Sequence, residues 1–427
     1  LGAHRNFDLF QGSISQKIAN QFYEGGRKMK TFLRILLTAT LFFTLSGLLS
    51  AEDKSCCDDL KKENIAISDS VLNRVLRLYH VPEHGLLAET YPRKIDNKVD
   101  YLAEGADQQH PQEVSYLWPY SGVISGVVAL FRETRDRKYL DLLENHLLPG
   151  LEKYWDSGRD PAAYQSYPTF AGKSDRYYDD NVWIALDFCT LYETTHRQKY
   201  LQKAKQLYDF IMSGKDDVLG GGVYWCEQKK HSKNTCSNAP TAVLCARLYE
   251  ITHEKKYLDQ AIEIYNWTKQ NLLDLSDNVY WDNVNLEGRI SKQKYTYNTG
   301  QMIEAAVRLY KITKKKNYLH DAQLSAQGAY QFFVKEQETQ DGKMLFYPES
   351  PWFNVILLRG LNELYSIDRN DVFIKTLKDN AYYAFYHTLD ENGLFGNSWY
   401  RKTTRPHKSL LDNACMIELF AELPDLE

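Results

Sequence analysis

Apolar residues recur along most of this chain in steps of three and four, the spacing that puts them on one face of a helix. One such run is Ala242, Leu244, Cys245 and Leu248; after a short polar break, Leu258, Ala261, Ile262 and Tyr265 form a second. The pair of runs is a repeat. Leu191-Tyr192-Glu193-Thr194-Thr195 followed by Lys199-Tyr200-Leu201 returns as Leu248-Tyr249-Glu250-Ile251-Thr252 with Lys256-Tyr257-Leu258. It returns again as Leu309-Tyr310-Lys311-Ile312-Thr313 with Asn317-Tyr318-Leu319. An earlier copy starts at Leu130-Phe131, and a weaker one is Leu364-Tyr365-Ser366-Ile367-Asp368. The anchoring aromatics Tyr139, Tyr200, Tyr257, Tyr318 and Phe373 follow one another at intervals of 55 to 61 residues. Each repeat therefore predicts a helix, a tight turn and a second helix. The first helix is the more apolar, as suits an inner layer, and the second carries more charge, as suits an outer one. Five pairs make ten helices. Asp69 to Tyr79 and Leu410 to Leu423 add one each, and the expected fold is an all-α (α/α)6 toroid of six helical hairpins.

The turns inside the pairs are short, whereas the links between pairs are long: Tyr91–Trp118, Tyr164–Asp180, Leu219–Pro240, Val279–Thr299, Asp341–Pro351 and Glu391–Leu411. All six should emerge at one rim, and loops of this length usually build a site. Trp118, Trp183, Trp225, Trp281, Trp352 and Trp399 fall in or just past the links, one to each. Trp155 and Trp267 occupy matching outer positions and are expected in the core. The inner helices also aim unpaired N–H groups at that rim. An aromatic-lined cleft is expected there.

One inner-helix start differs from the others. Tyr177-Tyr178-Asp179-Asp180-Asn181-Val182-Trp183 places two adjacent acids where a loop becomes a helix. Asp and Asn are ordinary caps, and acids suit the positive end of the helix dipole, so capping alone would account for them. Glycosidic bond cleavage also needs two carboxyl groups, one protonated and one ionised. Adjacent acids at a buried junction supply that pair, because repulsion raises one pKa while the dipole holds the other down. The other polar starts, among them Asn234 to Asn238, Tyr297-Asn298-Thr299 with Gln301, and Asp412-Asn413, read as caps. Glu304, Glu363 and Glu418 lie inside helices and read as ion-pair partners.

Composition narrows the function. The chain has 427 residues, 43% hydrophobic and 25% charged, with a net charge of −4 that offers nothing to nucleic acid or an anionic membrane. Tyrosine is abundant, at 31 residues, which suits both a large helical core and sugar rings. Residues 1–28 read as upstream translation. Met29 to about Ala51 reads as an export signal: Lys30 and Arg34 precede an apolar run from Ile35 to Leu49, short for a membrane span. The expected domain is 65–424, exported to the periplasm or beyond, with no lipid anchor and no membrane insertion after signal removal. Of seven cysteines, Cys226 and Cys236 bracket a polar loop that a disulfide could close, while Cys189, Cys245 and Cys415 read as buried thiols. No His/Cys spacing resembles a metal site, and no cofactor is indicated.

The segments YYDDNVWIALDF, GGGVYW…KNTCSNAPTAVLCARLYE and YTYNTGQMIEAAVRLY resemble glycoside hydrolase family 76, a likeness running from about Val71 to Leu419. The resemblance implies a bacterial α-1,6-mannanase acting on mannan or manno-oligosaccharides by retaining double displacement. It implies Asp179 as nucleophile and Asp180 as general acid/base. Loop position and family likeness together suggest Tyr178, Trp183, Trp225, Asn234, Asn238, Tyr297, Asn298, Gln301 and Trp352 as substrate-binding residues. A sugar epimerase on a similar toroid would move protons with inner-helix histidines, but His196, His253 and His320 belong to the opposite rim. A non-catalytic glycan-binding toroid would be expected to have lost one acid. An uronyl hydrolase would need a basic cluster that the links lack.

Overall fold

The computed structural model describes residues 59–426, apart from 97, 107, 109 and 110. The expected export signal and the pair Cys56-Cys57 lie outside the described residues. The chain separates into 1–62, of which 59–62 are described, and a compact unit Glu63–Glu427. The second unit carries the fold that follows.

Among its described residues the unit forms twelve helical rods. Six are inner: α2 (Leu117–Thr134), α4 (Tyr178–Thr195), α6 (Thr235–Thr252), α8 (Thr296–Thr313), α10 (Pro351–Asp368) and α12 (Leu410–Glu422). Five outer helices follow the first five inner ones. These are α3 (Arg137–Leu142, continued by a π turn Leu143–Leu147 into Leu148–Leu151), α5 (Gln198–Ser213), α7 (Lys255–Leu272), α9 (Lys316–Phe333) and α11 (Val372–His387). The sixth outer helix, α1 (residues 63–78 of this unit), comes from the start of the domain. Each inner helix packs against the next, and α12 returns to pack on α2. That contact closes the ring, and the outcome is the expected (α/α)6 toroid. α1 completes the outer layer: Tyr382 of α11 donates to Asn64 at 2.6 Å, and Tyr139 of α3 donates to Asp69 at 2.7 Å.

The repeated motif has a local cause. Thr134, Thr195, Thr252 and Thr313 each donate a hydroxyl to the carbonyl four residues back, at 2.6–2.7 Å. Each also accepts the N–H two residues ahead. Between these contacts one residue turns left-handed: Arg135, His196, His253 and Lys314 have φ of 55–60°. This is a helix C-cap made without glycine, and it sends the chain straight into the outer helix. In the weaker fifth copy Asp368 takes the threonine's place, accepting from Asn370 N at 3.1 Å before Arg369 at φ 58°. His196 and His253 are thus turn residues at the far rim.

Inner helices must approach closely to close so small a ring. Gly300 and Gly360 meet between α8 and α10, where a Cβ on Gly360 would lie 2.1 Å from the Gly300 carbonyl oxygen. Any larger side chain there would push the two helices apart. The long links, which the sequence left without regular structure, carry short antiparallel strands. Val279–Asn285 pairs with Ser232–Asn234 on one side and Ile290–Lys294 on the other, joining two links over the rim.

A second repeat ties the links down. The fourth residue of α4, α6, α10 and α12 is a buried asparagine: Asn181, Asn238, Asn354 and Asn413. Asn181 accepts from Tyr164 N and donates to the Tyr164 and Tyr177 carbonyls; Asn238 does the same to Val223 and Asn234; Asn413 to Phe395 and Ser409. Each amide replaces the hydrogen bonds that the incoming link would otherwise leave unmade. The position after the acid pair is therefore a backbone clamp.

Candidate active site

The rim where the inner helices begin holds a cavity of about 470 Å³. Its wall follows from the repeat. The second residue of an inner helix faces the axis, and Trp118, Asp179, Cys236, Tyr297 and Trp352 are the second residues of α2, α4, α6, α8 and α10. Asp180, Trp183 and Phe353 add to the lining from the same helices. The links contribute Tyr101, Tyr177, Trp225, Asn234 and Asp282 among others.

The aromatic residues form a continuous surface. Tyr101 meets Trp118 edge-on at 5.0 Å, Trp118 meets Trp352 edge-on at 4.8 Å, and Trp352 meets Trp183 at 5.7 Å. Phe353 stacks on Tyr297 at 4.5 Å. Such a surface offers apolar faces to the C–H side of a sugar, while Asp179, Asp180, Asn234 and Asp282 offer polar contacts. Tyr101 is fixed from behind: it donates to the buried Glu89 at 2.6 Å, and the Tyr116 N–H donates to the other Glu89 oxygen at 2.9 Å. Burial pushes Glu89 up to about 7 against those two donors.

No Lys, Arg or His is among the described residues lining the cavity. Two adjacent buried acids with no cation among the described lining residues cannot both hold a charge cheaply. Asp179 is the better supported: Trp225 Nε1 donates to its Oδ2 at 2.9 Å and the Asp180 N–H donates to its Oδ1 at 3.1 Å, while the Cys236 thiol in the same wall favours its charged form. Burial raises Asp179 to about 6, with those donors opposing the rise. Asp180 has no donor to its carboxyl among the described residues, and burial, then the charge of Asp179, push it well above the usual carboxylate range. The pair is thus asymmetric, with one member built to be charged and the other to hold a proton.

Of the residues suggested as substrate-binding, Trp183, Trp225, Asn234, Tyr297 and Trp352 line the cavity. Tyr178 does not. It is the first residue of α4, turned outward onto Phe210 at 4.9 Å and against Gly214, where a Cβ would meet its ring. Its neighbour Tyr177 takes the cavity position. Asn238 is the α6 clamp, with its amide committed to the backbone. Asn298 and Gln301 are buried behind the wall: Asn298 reaches Asp282 at 3.5 Å and Gln301 donates to Glu304 at 2.9 Å. The Cys226–Cys236 disulfide does not form. Both are free thiols, Cys236 in the wall and Cys226 packed against Tyr177 and Ala103. The strand starting at Ser232 turns the loop so that α6 aims Cys236 inward. Trp399 is buried, donating to the Tyr347 carbonyl at 3.0 Å, and does not reach the cavity.

Cys236 and Asp282 were missed as site residues. Cys236 was legible by aligning the helix starts, where it is the counterpart of Asp179. Asp282 was not, because it faces inward where the pairing of Val279–Asn285 with Ile290–Lys294 slips by one residue.

A two-layered helical ring with an asymmetric acid pair in an aromatic cavity at one rim is thus the class of protein that fold and site define. A model of glycosyl hydrolase family 76 matches residues 70–423, and the chain belongs to that family. It is similar to a family 76 glycoside hydrolase from a bovine Bacteroides thetaiotaomicron strain, 32% identical, with a TM-score of 0.74 over 84% of this chain and 76% of that one. It is also similar to a family 76 mannosidase of Bacteroides thetaiotaomicron VPI-5482, 29% identical, with a TM-score of 0.74 over 85% of this chain and 98% of that one. A mannan endo-1,6-alpha-mannosidase of Candida glabrata, DCW1, is 30% identical over 106 residues, 23% of this chain and 24% of its own. The chain spans less than half the length of the curated yeast relatives it matches.

Proposed function

We propose that this protein is a glycosidase that cleaves α-1,6-mannosidic linkages of mannan or manno-oligosaccharides with retention of configuration. The observation that carries the reading is the asymmetric pair Asp179/Asp180 in a cavity with no cation among its described lining residues. Asp179, charged, attacks the anomeric carbon while Asp180 passes its proton to the departing oxygen. The resulting mannosyl ester is then hydrolysed by a water from which Asp180 takes a proton, which restores both groups. Trp183, Trp352 and Tyr297 hold sugar faces, and Asn234 binds a hydroxyl. The linkage is suggested by the activities in the names of the relatives. Among the described residues no histidine lines the cavity to move protons in an epimerisation, and no cation lines it to receive a uronic acid carboxylate.

The test is incubation with α-1,6-mannotetraose while product anomers are followed by NMR. Initial release of the α-anomer is expected; the β-anomer first, or no cleavage, overturns the reading. We also propose that Met29 to about Ala51 is removed on export and that the catalytic domain spans 65–424. Among the described residues no helix is long and apolar enough to cross a membrane. N-terminal sequencing of the protein from the producing cells checks the cleavage point.

A further inference from the structure

Nothing in the spacing of two adjacent aspartates says which one carries the charge. Both stand in the first turn of α4, so the positive end of the helix serves both. The difference comes from the next hairpin. The next hairpin brings the Trp225 indole, from the link, to Asp179 at 2.9 Å and sets the Cys236 thiol, from the second position of α6, in the same cavity wall, while among the described residues no donor meets the Asp180 carboxyl. Trp225 is itself locked, because its N–H donates to Ser232 and its carbonyl accepts from Tyr178 at 2.9 Å. Its ring lies tilted on Tyr177 at 5.2 Å. The indole N–H therefore has a fixed direction. Cys236 and Tyr297 line the same cavity as Asp179, from the second positions of α6 and α8.

We infer that Trp225 and Cys236 are positioning residues that act through Asp179, donating to its carboxylate so that it, and not Asp180, is the ionised member of the pair. The inference rests on the reading of the pair as nucleophile and acid. It adds that Trp225 works through its N–H and not only through a stacking face. The titratable groups among the described lining residues around Asp179 are all neutral donors or acids: Asp180 and Tyr177 on its own segment, Cys236 on α6, Asp282 on the adjoining strand, Tyr295 and Tyr297 at the start of α8, and Asp100, Tyr101 and Tyr116 on the link before α2. With no cation among the described lining residues, neutral donors are what can favour one anion over the other.

Trp225→Phe keeps an aromatic face and removes the donor, Cys236→Ala removes the thiol, and Cys236→Ser restores a donor. A hydrogen bond to a charged group and the conversion between free energy and pKa give an expected upward movement of the acid limb of kcat/KM of about 1 pH unit for Trp225→Phe. A thiol is the weaker donor, so Cys236→Ala is expected to move it by about half a unit, with Cys236→Ser near wild type. An acid limb that stays put in Trp225→Phe, or moves alike in Cys236→Ala and Cys236→Ser, overturns the inference. A rise in KM alone in Trp225→Phe would mean stacking only, and also overturns it. Carbon-13 NMR titration of the Asp179 carboxyl in the same intact proteins reads the donors without turnover. If the protein does not cleave α-1,6-mannotetraose at all, the mannanase reading fails while this titration still decides the inference. Should one variant fold poorly, the titration in the other still decides its own donor.

Discussion

The two ends of the ring handle buried charge in opposite ways. At the rim where the inner helices start, acids face an aromatic cavity with no cation among its described lining residues. At the other end a cavity of about 430 Å³ is lined by Arg132, Arg247, Arg308, Lys311 and Arg359 together with acids from the inner helices. Arg308 alone reaches Glu304 at 2.9 Å, Glu363 at 2.9 Å and Glu250 at 3.0 Å, and Arg359 pairs with Glu418. Burial would raise Glu363, but Arg308 and Lys311 outweigh it and hold the carboxyl below its usual value. Trp183 marks the boundary: its ring lines the first cavity, and the Arg359 guanidinium of the second lies 6.0 Å from its centroid. Both ends are polar and of similar volume. What separates them is that cations face the acids at one end and, among the described residues, none faces them at the other. Burial still raises Asp187 and Glu422 to about 7 at the cation-bearing end, but only the other end sets two adjacent acids side by side without a cation among the described residues. Cavity size alone would not have told them apart.

The comparison breaks first at the acid pair. Asp179→Asn and Asp180→Asn are each expected to lower kcat on α-1,6-manno-oligosaccharides at least about 100-fold, the scale of losing a nucleophile or general acid. Activity near wild type in either variant would show that this end is not the reactive one. At the opposite end, Arg308→Leu strands several acids, and a loss of about 3–5 kcal/mol in unfolding free energy is expected by denaturant titration. Activity at a temperature where that variant stays folded should change by less than about 2-fold, since Arg308 is not in the reactive cavity. Equal loss of activity and stability would merge the two ends into one functional unit.

A pH profile sharpens the contrast further. kcat/KM should rise as Asp179 ionises around pH 6 and fall at higher pH, where Asp180 gives up its proton; the two limbs belong to the coupled pair. The smallest effect concerns stability. Asp180 is raised in the folded chain, so the native state binds the proton more tightly than the unfolded one does. Its contribution is therefore fully present below about pH 4, the unfolded value, and is lost as pH rises through the folded value. Asp180→Asn removes that penalty, and its Tm at pH 8 should exceed wild type by roughly 1–3 °C, an advantage that disappears near pH 3. A variant less stable than wild type at pH 8 would indicate a structural role for the carboxylate.

Local pattern alone determined the helices, their pairing into hairpins and the ring, because a period of 3.6 and a recurring turn are properties of neighbours in sequence. The threonine before each left-handed residue is the physical content of that motif. The acid pair was legible for the same reason, being contiguous and at a helix start. The tertiary structure decided which side chains reach the cavity: Tyr177 and not Tyr178, Asn234 and not Asn238, Cys236 as a free thiol and not as half of a disulfide. Those choices turn on one residue of helix phase, on a strand slip at Asp282 and on where a link crosses the rim. It also decided which aspartate has the donors, because Trp225 comes 46 residues after Asp179 and meets it only once two hairpins have packed. A hydrophobic pattern sets periodicity, but the protonation of a buried pair depends on what the closed ring places around it.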